Sequence, residues 1–145
     1  MERTLVLIKP DGMKRKLADE IIKRYEKHGL KVIARKSMAA DASLLKKHYS
    51  AHVEKHFYPA LEKFMSSGPV IAMIVEGKDA VASVREITGS TDPSKAVKGT
   101  IRGDLGNDSQ EKADKENRAI ENLVHASGTK EEAKKEIRLW FPEKK

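Results

Sequence analysis

His125 closes a short apolar run, Leu123-Val124, and is followed by Ala126-Ser127-Gly128-Thr129, small and hydroxyl-bearing residues that lead into a helix start. A strand-end imidazole within reach of a hydroxyl can act as a nucleophile or a proton carrier. A half-buried structural histidine has the same local signature, so the residues alone leave both readings open. His48, His52 and His56 are spaced i, i+4, i+8 and would line up three imidazoles on one unbroken helix. The zincin pattern is absent: Glu54 follows His52 by two positions and lies about 200° around a helix from it. A solvated helix face is therefore expected there rather than a metal site. The chain has no cysteine, which excludes thiol nucleophiles, disulfides and thiolate zinc sites. Neither G-x-x-x-x-G-K-[ST] nor a strand-borne G-x-G-x-x-G occurs, so a polyphosphate would have to be held by Lys, Arg and hydroxyl donors gathered from separate segments.

The elements that must position these groups follow from periodicity. Thr4–Ile8 reads as a buried strand that runs into the turn signal Lys9-Pro10-Asp11-Gly12. Leu17, Ile21, Ile22 and Tyr25 predict one amphipathic helix from Met13 to a C-cap at Gly29. A second strand with a wet face spans Leu30–Met38, and a pair of helices divided near Phe57-Tyr58-Pro59 fills residues 41–67. Val70–Val75 predicts a central strand, and Asp79 a cap for a helix ending at Gly89. From Ser90 to Ala119 almost no periodicity is visible, and a segment of that length inside a domain is usually functional or mobile. Leu123-Val124 is a minimal strand, and Thr129-Lys130-Glu131-Glu132 has the capping-box spacing for a last helix bearing Ala133, Ile137, Trp140 and Phe141.

At 145 residues the chain is the size of one domain, 1–145, with 39% hydrophobic residues to build a core and 35% charged residues at its surface. The longest apolar run, Val70–Val75, is far too short to span a bilayer, and the apolar stretch near the N-terminus is too short for a secretion signal. The expected location is cytoplasmic. Residues 1–50 hold 13 Lys/Arg against 6 Asp/Glu, which is the entire net charge of +7. That excess suits an anionic partner: nucleic acid, a membrane surface or a small phosphorylated molecule.

Six pieces occur in order: Glu2 to Gly12 (ERTLVLIKPDG), Lys47-His48-Tyr49, Ser67-Gly68-Pro69-Val70, Gly99 to Asp104 (GTIRGD), Asn122 to Ser127 (NLVHAS) and Glu136 to Phe141 (EIRLWF). Together they closely resemble the nucleoside diphosphate kinase family over nearly the whole chain. The resemblance implies an α+β fold with a ferredoxin-like antiparallel sheet flanked by helices. It implies transfer of the γ-phosphoryl group of a nucleoside triphosphate to a nucleoside diphosphate, by a ping-pong route through a phosphohistidine on His125. It also implies Mg²⁺ carried in on the nucleotide, and a homo-oligomer of four or six subunits, with no need of membrane or nucleic acid. Carried onto this sequence, Lys9 matches the lysine that contacts the phosphoryl group, with Tyr49 nearby, and Arg85 and Arg102 match the phosphate arginines. Thr91 matches a hydroxyl donor, Phe57 the aromatic under the base and Asn122 the amide on the sugar. Ser127 and Glu136 match the groups supporting the histidine. Such a set suits phosphoryl transfer, which needs an in-line nucleophile and positive donors around spread-out oxygens. On this reading Arg102 serves turnover rather than stability, so Arg102→Ala is expected to keep its melting temperature. The competing class is a non-catalytic module that uses the basic N-terminal third on nucleic acid or an anionic membrane.

Two features depart from the family pattern. Gly128 stands where an aspartate is usual, removing one acceptor behind the histidine. Leu105–Glu121 is longer than the common spacing and rich in charge, and is expected to alter the rim of the site or subunit contacts.

Overall fold

The computed structural model describes residues 1–143. Four antiparallel strands, β1 (Glu2–Ile8), β2 (Lys31–Ala39), β3 (Pro69–Gly77) and β4 (Val124–Ala126), form one sheet in the order β2-β3-β1-β4. This is the ferredoxin-like arrangement. The apolar run of β1 has a direct cause: the strand is interior and covered on both faces. Leu5 and Leu7 enter one core, with Leu45, Met65, Ile74 and Trp140, while Val6 and Ile8 enter the other, with Tyr25, Met73, Val84 and Ile101. β3 is the second interior strand, as Val70–Val75 predicts. β2 lies at an edge, where half-buried and exposed residues alternate along its length, and this accounts for its lysines and arginine.

The first core is closed by helices α2 (Ala18–Lys27), α5 (Ala80–Thr88) and α6 (Ile101–Leu105), and the second by α3 (Ala42–His48), α4 (Tyr58–Met65) and α8 (Lys130–Trp140). The single helix expected from Met13 to Gly29 is in fact two. α1 (Pro10–Lys14) starts on its proline, and Lys16 then takes a left-handed conformation (φ 60°) before α2 begins. Three apolar residues on one face of α2 carried the periodicity; the short α1 is set by turn chemistry, which a periodicity window misses. Asp79 precedes α5 with φ 48° and makes no side-chain cap. Glu2 supplies the acceptor instead, its Oε1 taking the Val81 N–H at 2.8 Å.

The segment from Ser90 to Ala119 is not structureless. It holds a 3₁₀ turn (Pro93–Lys95), α6 and α7 (Gln110–Lys115), each too short to show a helical period. Both helices are capped by hydroxyls: Thr100 Oγ1 accepts the Gly103 N–H and Ser109 Oγ accepts the Lys112 N–H. The register pairs Leu7 with His125. Directly opposed residues share a face, so β4 presents the histidine on the Leu5/Leu7 side, toward α3 and α8.

Candidate active site

On that face His125 is held from behind. Its Nε2 lies 2.7 Å from Glu136 Oε1, and Ser127 Oγ donates to the same oxygen at 2.7 Å. A carboxylate only accepts, so the proton sits on Nε2 and the lone pair on Nδ1. Nδ1 has no partner among the described residues. The ring is fixed laterally by His48, in an edge-on contact with centroids 4.5 Å apart. Trp140 Nε1 donates to His48 Nδ1 at 2.9 Å, which places the His48 proton on Nε2. Burial, with repulsion from His125 and Lys9, pushes the His48 pKa down to about 2, so this ring stays neutral at every physiological pH.

The backbone before β4 is strained. Leu123 has φ 73°, a conformation that side-chain-bearing residues rarely adopt and that costs on the order of 1–2 kcal/mol. Two contacts enforce it: Lys9 N–H donates to Leu123 O at 2.8 Å, and Leu123 N–H donates to Asp11 Oδ2 at 3.0 Å. Asp11 is buried, and desolvation raises its pKa. Gly12 completes the fit, because a Cβ there would stand 3.0 Å from Ile8 Cγ2 and 3.2 Å from Leu123 O. The turn signal Lys9-Pro10-Asp11-Gly12 thus sets the path of the chain two residues ahead of the histidine.

Lys9 Nζ donates to Asn122 Oδ1 at 2.8 Å, and Asn122 Nδ2 donates to Thr91 O at 2.9 Å, joining three of the expected residues in one chain of contacts. Burial and the neighbouring Arg102 lower the Lys9 pKa to about 8. Arg102 itself corrects an expectation. It is 8% exposed, and its guanidinium donates to Asn122 O at 3.0 Å, Gly89 O at 3.1 Å and Val124 O at 2.6 Å. Three of its five N–H groups tie the loop before His125 to the end of α5, so the residue is structural as well as cationic. Burial brings its pKa down to about 10, still charged at neutral pH.

A cavity of about 830 Å³ takes in Lys9, Tyr49, Phe57, Arg85, Thr91, Arg102, Asn122 and His125. Every cavity-facing residue expected from the sequence is therefore gathered in one place, with Ser127 and Glu136 behind the histidine. Arg85 has no hydrogen-bond or ion-pair partner among the described residues, and its charge is free for a ligand. Phe57 is 43% exposed although aromatic, a surface open to stacking. The Tyr49 hydroxyl is pushed above its usual range by burial, then by Glu136 and Tyr58. The three-histidine stripe does not form. α3 ends at His48, and His52 and His56 sit in the turns before α4, beside the Phe57 ring at 5.5 and 5.9 Å between centroids.

A carboxylate of α8 stands where Gly128 has no side chain. Glu132 Oε2 accepts the Gly128 N–H at 2.9 Å and lies 2.7 Å from where a Cβ of residue 128 would be, with Arg85 Nη1 3.6 Å from that point. Sequence reasoning placed Asp11 in a turn, His48 in a histidine stripe, Trp140 on a core stripe and Glu132 in a capping box, and gave none of them a part in positioning His125. Asp11 and the His48–Trp140 pair lie inside the quoted motifs, but their partners are 112 and 92 positions away along the chain.

His48, His125 and Glu136 also bring three ligand-type atoms within 4.8 Å of one another. Two of the three are already hydrogen-bonded in ways that leave a proton on Nε2, and a set of two imidazoles and one carboxylate does not suit Mg²⁺, which prefers oxygen ligands.

Residues 2–145 match the family model described as nucleoside diphosphate kinase. A curated relative of that name from Cutibacterium acnes is 48% identical over 141 residues, 97% of this chain and 95% of its own. One from Pyrococcus furiosus is 48% identical, covering 97% and 83%. Among solved structures, a transition-state mimic of nucleoside-diphosphate kinase from Borrelia burgdorferi with bound vanadate and ADP superposes with TM-score 0.91 at 39% identity, covering 97% of this chain and 86% of that one. The apo enzyme from Encephalitozoon cuniculi gives 0.86 at 42%, covering 97% and 89%. With a family match over almost its full length and relatives of this similarity, the chain belongs to the nucleoside diphosphate kinase family.

Proposed function

We propose that the protein transfers the γ-phosphoryl group of a nucleoside triphosphate, typically ATP, to a nucleoside diphosphate through a phosphohistidine on His125. The observation that carries this reading is the 2.7 Å contact of Glu136 Oε1 with His125 Nε2, which assigns the proton to Nε2 and leaves the Nδ1 lone pair beside a cavity rich in cations. In the first half-reaction Nδ1 forms a bond to the γ-phosphorus as the bond to the β–γ bridging oxygen breaks, and the nucleoside diphosphate departs. The second half-reaction reverses the step onto the acceptor diphosphate. Glu136 stabilises the positive charge that develops on the imidazole, while Lys9, Arg85 and Arg102 stabilise the negative charge that spreads over the three phosphoryl oxygens. Tyr49 and Thr91 add hydroxyls at the cavity wall. Phe57 offers a π-face that any base can stack on, and Asn122, positioned by Lys9, offers an amide to the sugar.

Mg²⁺ arrives as part of the nucleotide substrate, bound to its phosphates. A homo-oligomer of four or six copies fits the open edge of β2 and the exposed apolar Ile33 and Val97. A cytoplasmic setting fits a substrate pool of free nucleotides, and no helix among the described residues is long and apolar enough to cross a membrane. Initial rates measured over a grid of donor and acceptor concentrations test the proposal. Parallel lines in the double-reciprocal plot are expected; intersecting lines, or no transfer by the folded protein, would exclude a covalent route.

A further inference from the structure

The long charged segment between Arg102 and Asn122 is built into the cavity as a fixed wall. Arg118 forks onto Asp108 with Nη1–Oδ2 and Nη2–Oδ1 distances of 2.7 and 2.8 Å, and Asp108 Oδ2 also accepts the Glu121 N–H at 2.9 Å. One buried carboxylate thus joins the two ends of the segment. Ala113 of α7 is fully buried, and Gln110 N–H reaches Asp92 Oδ2 at 3.2 Å. The helix ends in a Schellman turn, with Arg118 N–H on Ala113 O at 3.1 Å, Asn117 N–H on Asp114 O at 3.2 Å and Asn117 at φ 52°.

Four polar side chains of this wall, Gln110, Asp114, Asn117 and Arg118, line the same cavity as His125 and Phe57; Gln110 is engaged by Asp114 and Arg118 by Asp108, which leaves Asp114 and Asn117 to meet a ligand. Asp114 Oδ1 accepts Gln110 Nε2 at 2.8 Å, which holds the carboxylate in place and leaves Oδ2 without a partner among the described residues. The left-handed backbone accounts for an asparagine at 117, yet its side-chain amide likewise has no partner there. Asn117 lies five residues before Asn122, a reach of at most about 17 Å, enough to run from the sugar-contacting position to the far edge of a base.

Resting on the phosphotransfer reading above, we propose that Asp114 and Asn117 read the edge of the base stacked on Phe57 and favour guanine over adenine. A carboxylate accepts from the N1–H and the 2-amino group of guanine, and an amide N–H donates to its O6. Adenine presents an unprotonated N1 at that edge, which a carboxylate repels. Stacking alone gives no such preference.

The test uses the full-length protein, first phosphorylated with γ-labelled ATP, followed by the rate of label loss to GDP, ADP or IDP. GDP is expected to act about tenfold faster than ADP at low concentration, the scale of one well-made two-point base contact, with IDP, which lacks the 2-amino group, in between. Asp114→Asn should bring the GDP/ADP ratio to within about twofold. Asn117→Gly keeps the left-handed backbone accessible while deleting the amide, and should lower the same ratio several-fold. A wild-type ratio within twofold of unity, or a ratio unmoved by both substitutions, overturns the proposal. Calorimetric titration of the unphosphorylated protein with GDP and ADP reads the preference without catalysis. Absence of label would then count against the phosphotransfer reading, and equal affinities against the base-reading wall.

Discussion

Replacing Arg102 with alanine removes a guanidinium that serves three backbone carbonyls at once. Each of those bonds has a charged donor and lies in a largely buried setting, where such a bond contributes about 1.5–3 kcal/mol. Relief of the repulsion between Arg102 and Lys9, and of the desolvation that lowers the arginine pKa, offsets part of the loss. A net destabilisation of about 3–5 kcal/mol is expected, in the range for breaking one side of a buried charged network. For a chain of this size, at about 3 °C per kcal/mol, the melting temperature should fall by about 10 °C or more. Arg85→Ala is the control: Arg85 is exposed and has no hydrogen-bond or ion-pair partner among the described residues, so its loss should leave urea unfolding within about 0.5 kcal/mol of wild type. Phosphotransfer should nevertheless fall by roughly a hundredfold, the scale for deleting one preorganised charge-stabilising donor. The assay is equilibrium unfolding of both variants beside their transfer rates. An Arg102→Ala protein as stable as wild type would refute the reasoning, because the three carbonyls would then be satisfied without it.

Lys9 titrates near pH 8 in the folded protein against an ordinary value of 10.5, so kcat/KM should decline above about pH 8 as one proton is lost. The same shift has a sign for stability. The unfolded chain binds the proton more tightly, so the penalty of holding buried charge is fully present below pH 8 and is relieved between pH 8 and 10.5; the contribution of Lys9 to stability should therefore rise with pH in that window, and Lys9→Met should abolish the rise. Asp11→Ala leaves the Leu123 N–H buried without an acceptor and frees a strained residue, so it should cost about 2 kcal/mol in urea unfolding and lower transfer by at least roughly tenfold through misplacement of His125; Asp11→Asn, which keeps an acceptor oxygen, should recover most of both. Trp140→Phe removes the donor that fixes the His48 tautomer and should reduce the rate of His125 phosphorylation several-fold at a stability cost of about 1 kcal/mol, measurable by rapid quench and thermal unfolding.

Much of the fold and site was legible in the sequence because it rests on local signals. The alternating cores on the two faces of β1 make an unbroken apolar run, the hydroxyl before α8 marks its start, and short motifs carry Lys9, Arg102, Asn122 and His125 in register. Thr129 does cap α8, accepting the Glu132 N–H at 3.1 Å, but the Glu132 carboxylate turns to Gly128 rather than back to Thr129. That detail depends on the missing side chain at 128, which no pattern encodes. α6 and α7 were hidden because five or six residues complete too few turns to show a period. The double role of Arg102 was hidden because it depends on carbonyl groups, and a backbone acceptor leaves no trace in residue identity. The same holds for the link from Asp11 to Leu123, which spans nearly the whole chain.

The central claim is that the Nδ1 atom of His125 carries the phosphoryl group between substrates. Incubation of the protein with γ-labelled ATP alone, followed by NMR identification of the phosphohistidine isomer, tests it most directly. The account predicts acid-labile, base-stable label on His125 Nδ1, absent from His125→Ala. Label on Nε2, label that survives in His125→Ala, or no label on the folded wild-type protein would contradict it.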